Sequence, residues 1–551
     1  MPHTRALAQL ERIKDQYGDD HAAHKRALLR VLARARLRSA PQVERLHEVL
    51  CFLRAYPDDA ALAGAVERML RGFSRRADLR AHAAALADSG IAGTTIHYRF
   101  FWPTARWLAR RWPREFHLDR SDEVAGDNIA AALPLLLTPA EAPWLREQSP
   151  GGFEALDRLC GRGSDAAWLV HAIEALAGDD FTHERLFDGL DPSCLLRPGR
   201  ATPSRTLDCA PGAPAVFRAA PLRRARPELR AELARAPQRV RTLGPRAGQD
   251  MIDLARGALI TRQRDLDAFA YGDARDVRMA EDGGGLAFVL VGMRPERRTL
   301  LAAAYGILTL QNGVPIGYSQ ADILAGSAAL SFNTFASFRG GEAGYTFARL
   351  LAVLRHLFRV RSFSVEPYQL GHHNAEGIAT GAWWFYFKLG FRPRAAGARQ
   401  LARRERARMQ RHPQHRSSPA TLRRLATAHL FLDLDAAGAR GLPPLADLGR
   451  RVSGVLAQSG ARAAALDGAS AAMLRVTGQG NLRGFTAAER LAWRRWSPLM
   501  LALPGLARWS PGERRELACV LRAKGGRRES DFAARFAAHP RLMRALYRLA
   551  P

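Results

Sequence analysis

The stretch YGILTLQNGVPIGYSQADIL, Tyr305 to Leu324, sets two apolar runs on either side of Asn312-Gly313. A two-residue turn of type I′ needs positive φ at both central positions, which Asn-Gly supplies at low cost, so the stretch predicts a β-hairpin. Outward from it the pattern stays strand-like. LAFVLVGM lies before it, and LSFNTFASF and SFSVEP lie after it, each short, apolar and bounded by turn residues. Between the last two, TFARLLAVLRHLF places Phe347, Leu350, Leu351, Leu354, Leu357 and Phe358 at helical spacing, predicting a helix packed on the sheet. GAWWFYFKLGF then predicts a short helix closed by Gly390 as its C-terminal glycine.

The flanking sequence has a different period. Residues 1–208 read as helices, exemplified by QVERLHEVLCFL, and 399–551 read as helices again. Thr486-x-x-Glu489 and Ser510-x-x-Glu513 predict capping boxes, and Trp493, Trp496 and Trp509 predict a core. Residues 209–248, rich in Pro, Arg and Ala, read as a linker. The expected architecture is α+β/α and multi-domain. A mixed sheet with helices occupies 249–398, between a helical N-terminal domain (1–208) and a helical C-terminal domain (399–551).

The formal charge is +30, and all basic residues except Lys14, Lys25, Lys388 and Lys524 are arginine. Such an excess points to an anionic partner, nucleic acid included, but a GC-rich coding sequence also inflates arginine. HYRFFWPTARWLARRWPREF (97–116) interleaves aromatics with arginines. This is a pattern that stacks bases and neutralises phosphates, or else an amphipathic helix with its arginines in water. The five cysteines are scattered without a CxxC pair, so no metal site or disulfide framework is expected. No apolar run is long enough for a membrane span, and the opening residues lack a signal-peptide core, so a cytoplasmic location is expected.

With SFRGGEAGYTF and FYFKLGF in place, residues 275–395 resemble the GNAT superfamily of N-acyltransferases. The resemblance implies that the glycine-rich turn binds the diphosphate of acetyl-coenzyme A, or another acyl-coenzyme A, through Arg339, Gly340, Gly341, Gly344 and Tyr345. Glycines let backbone N–H groups converge on phosphate, and a helix N-terminus adds positive dipole. It also implies that Tyr386 protonates the departing thiolate, and that backbone N–H groups of LSFNTFASF hold the oxyanion. Family members usually carry Arg/Gln-x-x-Gly-x-Gly/Ala at the turn, and here Glu342 occupies the first glycine slot. The long loop PYQLGHHNAEGIATG offers Gln369 and Asn374, with Asn333 nearby, as contacts to an amine acceptor. Glu366, His372 and His373 are the candidate bases. The implied activity is acyl transfer to an amine by direct attack. Related folds that use aminoacyl-tRNA as donor are the alternative, and a non-enzymatic partner- or nucleic-acid-binding protein on a degenerate core is a third reading.

Overall fold

The computed structural model describes residues 3–212, 215–435, 445–457 and 461–548. The chain forms two compact units: Met1–Leu222 with Asp250–Tyr271 and Leu310–Ile316, and Arg223–Gln249 with Gly272–Thr309 and Gly317–Pro551.

The first unit is mostly helical, but it also contains a three-stranded antiparallel sheet. Strands β1 (Ile96–Tyr98), β2 (Phe116–Leu118) and β3 (Cys194–Leu196) adopt the order β1-β3-β2. The region reads as almost all helical from its sequence, and these three short strands are what that reading leaves out. A three-residue strand is too short to show a period of two, and its partner β3 lies far along the chain. The helix Trp102–Arg111 buries Trp102, Ala105, Leu108 and Ala109 beside Phe100 and Phe116.

The second unit is built on a nine-stranded mixed sheet. Its strands are β4 (Arg239–Thr242), β5 (Gly272–Gly283), β6 (Leu286–Met293), β7 (Ala303–Gln311), β8 (Val314–Leu324), β9 (Ser327–Thr334), β10 (Ser362–Val365), β11 (Arg392–Pro393) and β12 (Leu430–Asp433), in the order β11-β12-β10-β9-β8-β7-β6-β5-β4. The turn between β7 and β8 has φ of 48° at Asn312 and 76° at Gly313, as a type I′ turn requires. Two strands lie outside the expected span. β4 sits within the stretch read as a linker, which also holds a helix at Leu229–Ala234, and β12 sits within the stretch read as helical.

β9 and β10 run parallel, whereas β8–β9, β10–β12 and β11–β12 are antiparallel. A parallel pair requires a crossover, and the helix Ala343–Phe358 provides it. Phe347, Leu350, Leu351 and Leu354 of this crossover helix are fully buried in one apolar cluster with Leu330, Phe363, Trp383 and Phe391.

The C-terminal helices pack around Trp493, Trp496 and Trp509, and both expected capping boxes form. They meet the sheet through a buried polar network. Arg298 Nη1 donates to the carbonyls of Lys524 (2.6 Å) and Gly526 (2.7 Å), Lys524 pairs with Glu529, and the Glu529 N–H donates to Asp276 (3.1 Å). Lys524 and Lys25 are 1% and 0% exposed, each held by a carboxylate, Glu529 and Asp58 respectively; Lys388 is exposed.

Candidate functional site

The site begins where two strands part. β9 and β10 pair through Ser327–Ser362, Ala328–Phe363 and Ala329–Ser364 only, while β9 continues to Thr334. Beyond that point Phe332, Asn333 and Thr334 line a cavity of about 390 Å³. Cavities of this size accept small-molecule ligands.

One wall is the glycine-rich turn. Arg339, Gly340 and Ala343 line the cavity, and Gly340 has φ of 79°, which suits a residue without Cβ. Arg339 donates to the Thr334 carbonyl at 3.2 Å and forms an ion pair with Glu376. Glu342, the departure from the family pattern, is buried, and its Oε1 accepts the Arg223 backbone N–H at 2.8 Å. Its carboxylate therefore has a structural task, fixing the segment that begins at Arg223. The same segment reaches the turn twice more. Arg224 Nε donates to the Gly340 carbonyl at 3.2 Å, and a Cβ on Gly344 would lie 3.5 Å from Pro227. Tyr345 is engaged there as well: its hydroxyl accepts from Arg235 at 2.9 Å, and the Arg223 guanidinium lies 4.5 Å over its ring.

The opposite wall is the aromatic helix (Ala382–Lys388), which presents Phe385 and Tyr386 to the cavity. The run Tyr-Phe-Lys-Leu-Gly-Phe explains how Tyr386 is positioned. Gly390 has φ of 109°; its N–H donates to the Phe387 carbonyl (3.1 Å), and the Phe391 N–H donates to the Tyr386 carbonyl (3.2 Å). Together these two bonds form a Schellman motif, and the accompanying apolar contact is the ring pair Tyr386–Phe391 at 5.8 Å. Phe347 at 5.4 Å and Phe385 at 5.2 Å complete the aromatic enclosure. Burial pushes the Tyr386 phenol above its ordinary pKa, so it carries its proton at neutral pH.

The loop after β10 supplies the rim. Gln369, Asn374, Glu376, Gly377 and Thr380 line the cavity. Asn374 caps a short helix, accepting from the Gly377 N–H at 3.1 Å, and its amide also donates to the Tyr368 carbonyl at 3.1 Å. Its polar atoms therefore hold the loop.

The cavity thus brings together Tyr386, Arg339, Gly340, Gln369, Asn374 and Asn333. Gly341, Gly344, Tyr345, Glu366, His372 and His373 are not among its lining residues. The rings of His372 and His373 lie against each other, tilted by 58°, with centroids 4.1 Å apart. Glu366 lies at the end of β10 in other company. Register pairs Ala329 with both Asp322 and Ser364, and Glu366 follows Ser364 by two residues, so Asp322 and Glu366 share the sheet face that alternates with Leu330 and Phe332. Burial raises the Asp322 pKa; a hydrogen bond from Gln320 opposes the shift and the Glu366 charge adds to it. Burial lowers the pKa of His429, against the pull of Glu366. Asp322 was not singled out in the sequence, where its one signal is being the only acid in a strand otherwise apolar or neutral.

Among the described residues, no three His, Cys, Asp or Glu side chains gather as metal ligands, and no helix is long and apolar enough to cross a membrane. No protein-family model matches the chain, nor does any curated protein or solved structure.

Proposed function

We propose that the second unit is an acyltransferase that moves an acyl group from an acyl-coenzyme A thioester to an amine. The observation that carries this reading is the opening between β9 and β10, with a protonated, buried tyrosine in its wall and a glycine turn at a helix N-terminus beside it. The amine nitrogen attacks the thioester carbonyl carbon. Backbone N–H groups along the unpaired edge of β9 suit the developing oxyanion. The C–S bond then breaks and the Tyr386 hydroxyl protonates the thiolate sulfur. The proton lost by the amine passes to water, since Asp322 and Glu366 lie on the sheet face opposite Phe332 and outside the cavity lining.

Glu342 supports the coenzyme A donor indirectly, because its carboxylate is turned to the Arg223 N–H and so away from the cavity. One observation favours the second reading, an aminoacyl-tRNA donor: Arg339, the cation of the turn, is already paired with Glu376.

Tyr386→Phe should keep the fold and slow transfer by about a hundred- to ten-thousand-fold at saturating donor, the usual contribution of a positioned acid. Equal turnover in the mutant removes Tyr386 from the chemistry. Calorimetry with acetyl-coenzyme A tests the donor directly. Binding that is lost in Arg339→Ala supports the first reading. Absence of binding, with salt-sensitive tRNA binding, supports the second. Binding of neither leaves a non-enzymatic protein.

A further inference from the structure

The arginine helix, Ala396–Arg411, is attached by one narrow face. Ala398, Ala402 and Glu405 are its buried residues, spaced four and three apart. Glu405 is the anchor: it accepts from Ser417 Oγ at 2.6 Å, lies 3.1 Å from His415 Nε2, and accepts from Arg408 at 3.3 Å. The buried stripe is flanked on one side by Arg399, Arg403 and Arg406 and on the other by Arg404, Arg408 and Arg411, all exposed. Among the described residues, Arg408 is the only one of these six within ion-pair distance of a carboxylate, and that carboxylate is Glu405 of the same helix.

Two arginines from other elements join this surface. Arg392 Nη1 donates to the carbonyls of Phe387 and Phe391, both at 2.7 Å, and its guanidinium lies 4.1 Å over the Phe387 ring. It is thus a pre-positioned, exposed guanidinium. Arg226 belongs to the segment whose Leu229 lies 4.0 Å from where a Cβ on Gly390 would stand. Partial burial, then the charges of Arg406 and Arg226, hold the Arg392 pKa below its ordinary value. Like charges exposed on neighbouring elements repel one another, and a bound anion relieves that repulsion.

We propose that Arg226, Arg392 and the exposed stripes of the arginine helix form a binding surface for the phosphate backbone of a nucleic acid. A guanidinium presents a planar fork of donors that matches phosphate oxygens two at a time. Successive arginines of the stripe Arg399–Arg403–Arg406 rise about 6 and about 4.5 Å along the helix, so one strand can contact several at once. A membrane surface fits less well, because an interfacial helix needs large apolar residues on its outer face and none of the exposed large hydrophobic residues lies in 396–411. The outer face carries no exposed aromatic either, so the binding is to backbone and tolerant of sequence. It is independent of the transfer reaction: Tyr386→Phe should leave it unchanged.

The test uses the full chain and a fluorescently labelled single-stranded RNA of mixed sequence, followed by anisotropy across a salt series. Binding should weaken with salt, the log–log slope falling by about 0.7 for each phosphate neutralised. The variant R399Q/R403Q/R406Q keeps good helix formers at exposed positions and should fold. Its slope should be shallower by about 2, with a loss of affinity of at least about tenfold at low salt. R106Q/R110Q, which removes arginines elsewhere, should bind RNA as the unmodified chain does. The proposal is overturned if the triple variant binds RNA undiminished, if the unmodified chain binds no RNA at low salt, or if it binds vesicles containing phosphatidylserine but no RNA.

Discussion

The helix Trp102–Arg111 and the arginine helix Ala396–Arg411 both place several arginines on exposed turns, but their surroundings differ. In the first, Arg106 donates to Glu174 and to Asp180, each at 2.6 Å, Arg110 donates to Glu174 at 2.6 Å, and Arg111 to Asp253 at 3.1 Å. Its aromatic neighbour Trp102 is fully buried. The first helix is therefore amphipathic with its charge neutralised, and the base-stacking reading of 97–116 loses Arg106, Arg110 and Arg111. In the second, five of six arginines have no carboxylate partner among the described residues. Local sequence does not separate the two cases. The acids that silence the first helix lie 64 to 142 residues away in the chain. Net charge therefore carries little functional meaning until each guanidinium has been matched, or not matched, to a carboxylate.

The comparison can be pushed to its paired extreme. Arg349 is fully buried and donates to both oxygens of Asp282 at 2.7 Å. Asp282→Ala leaves that charge in the core and should cost about 3–5 kcal/mol, read as a lower urea midpoint. An unchanged midpoint would show that the Glu232 carboxylate, 3.4 Å away, and the carbonyls around Arg349 suffice. Next in size is Glu174→Ala, which frees Arg110 and leaves Arg106 with Asp180 alone. It should cost about 1 kcal/mol and should add salt-sensitive RNA binding if pairing is what silences that helix. A variant that gains no RNA affinity breaks the comparison. For R399Q/R403Q/R406Q the stability change should stay within about 0.5 kcal/mol, since exposed and unpaired groups hold little of the fold together. A large drop in melting temperature would mean those arginines have partners in solution.

The smallest effect is on pH. Burial raises the Glu405 pKa, but hydrogen bonds from Ser417 and His415 and the Arg408 charge overcome it, and the net shift is downward. A carboxyl with a depressed folded pKa binds fewer protons folded than unfolded. It stabilises above the ordinary glutamate value of about 4.3, and that contribution is lost as pH falls below it. Glu405→Gln should flatten this acid limb of a stability–pH profile, and an unaltered limb would remove Glu405 as the anchor.

What the sequence makes legible is what short-range chemistry decides. Asn312-Gly313 sets its turn through its own φ angles, Gly390 and Phe391 end the aromatic helix through bonds to Phe387 and Tyr386, and Thr486 and Ser510 cap their helices locally. The candidate site is legible in part for the same reason: the Schellman motif that holds Tyr386 lies within six residues. What escapes depends on distant partners. β12 pairs with β10 across more than sixty residues, the Arg-rich segment after 208 contributes an edge strand and closes on Glu342, and Asp322 meets Glu366 only through strand register. The histidine pair is conspicuous in the sequence because of its chemistry, yet His372 and His373 pack in a tilted ring contact with each other and lie outside the cavity lining.

The uneven burial of the four lysines has a practical consequence. Two of them are sealed in the interior, and Lys388 is exposed at the end of the helix that carries Tyr386. An amine-reactive dye or crosslinker therefore finds few side chains to modify, and one of them stands two residues from the tyrosine at the cavity wall. A fluorophore attached at Lys388 would report on that cavity, so its filling could be followed by emission before any substrate is known.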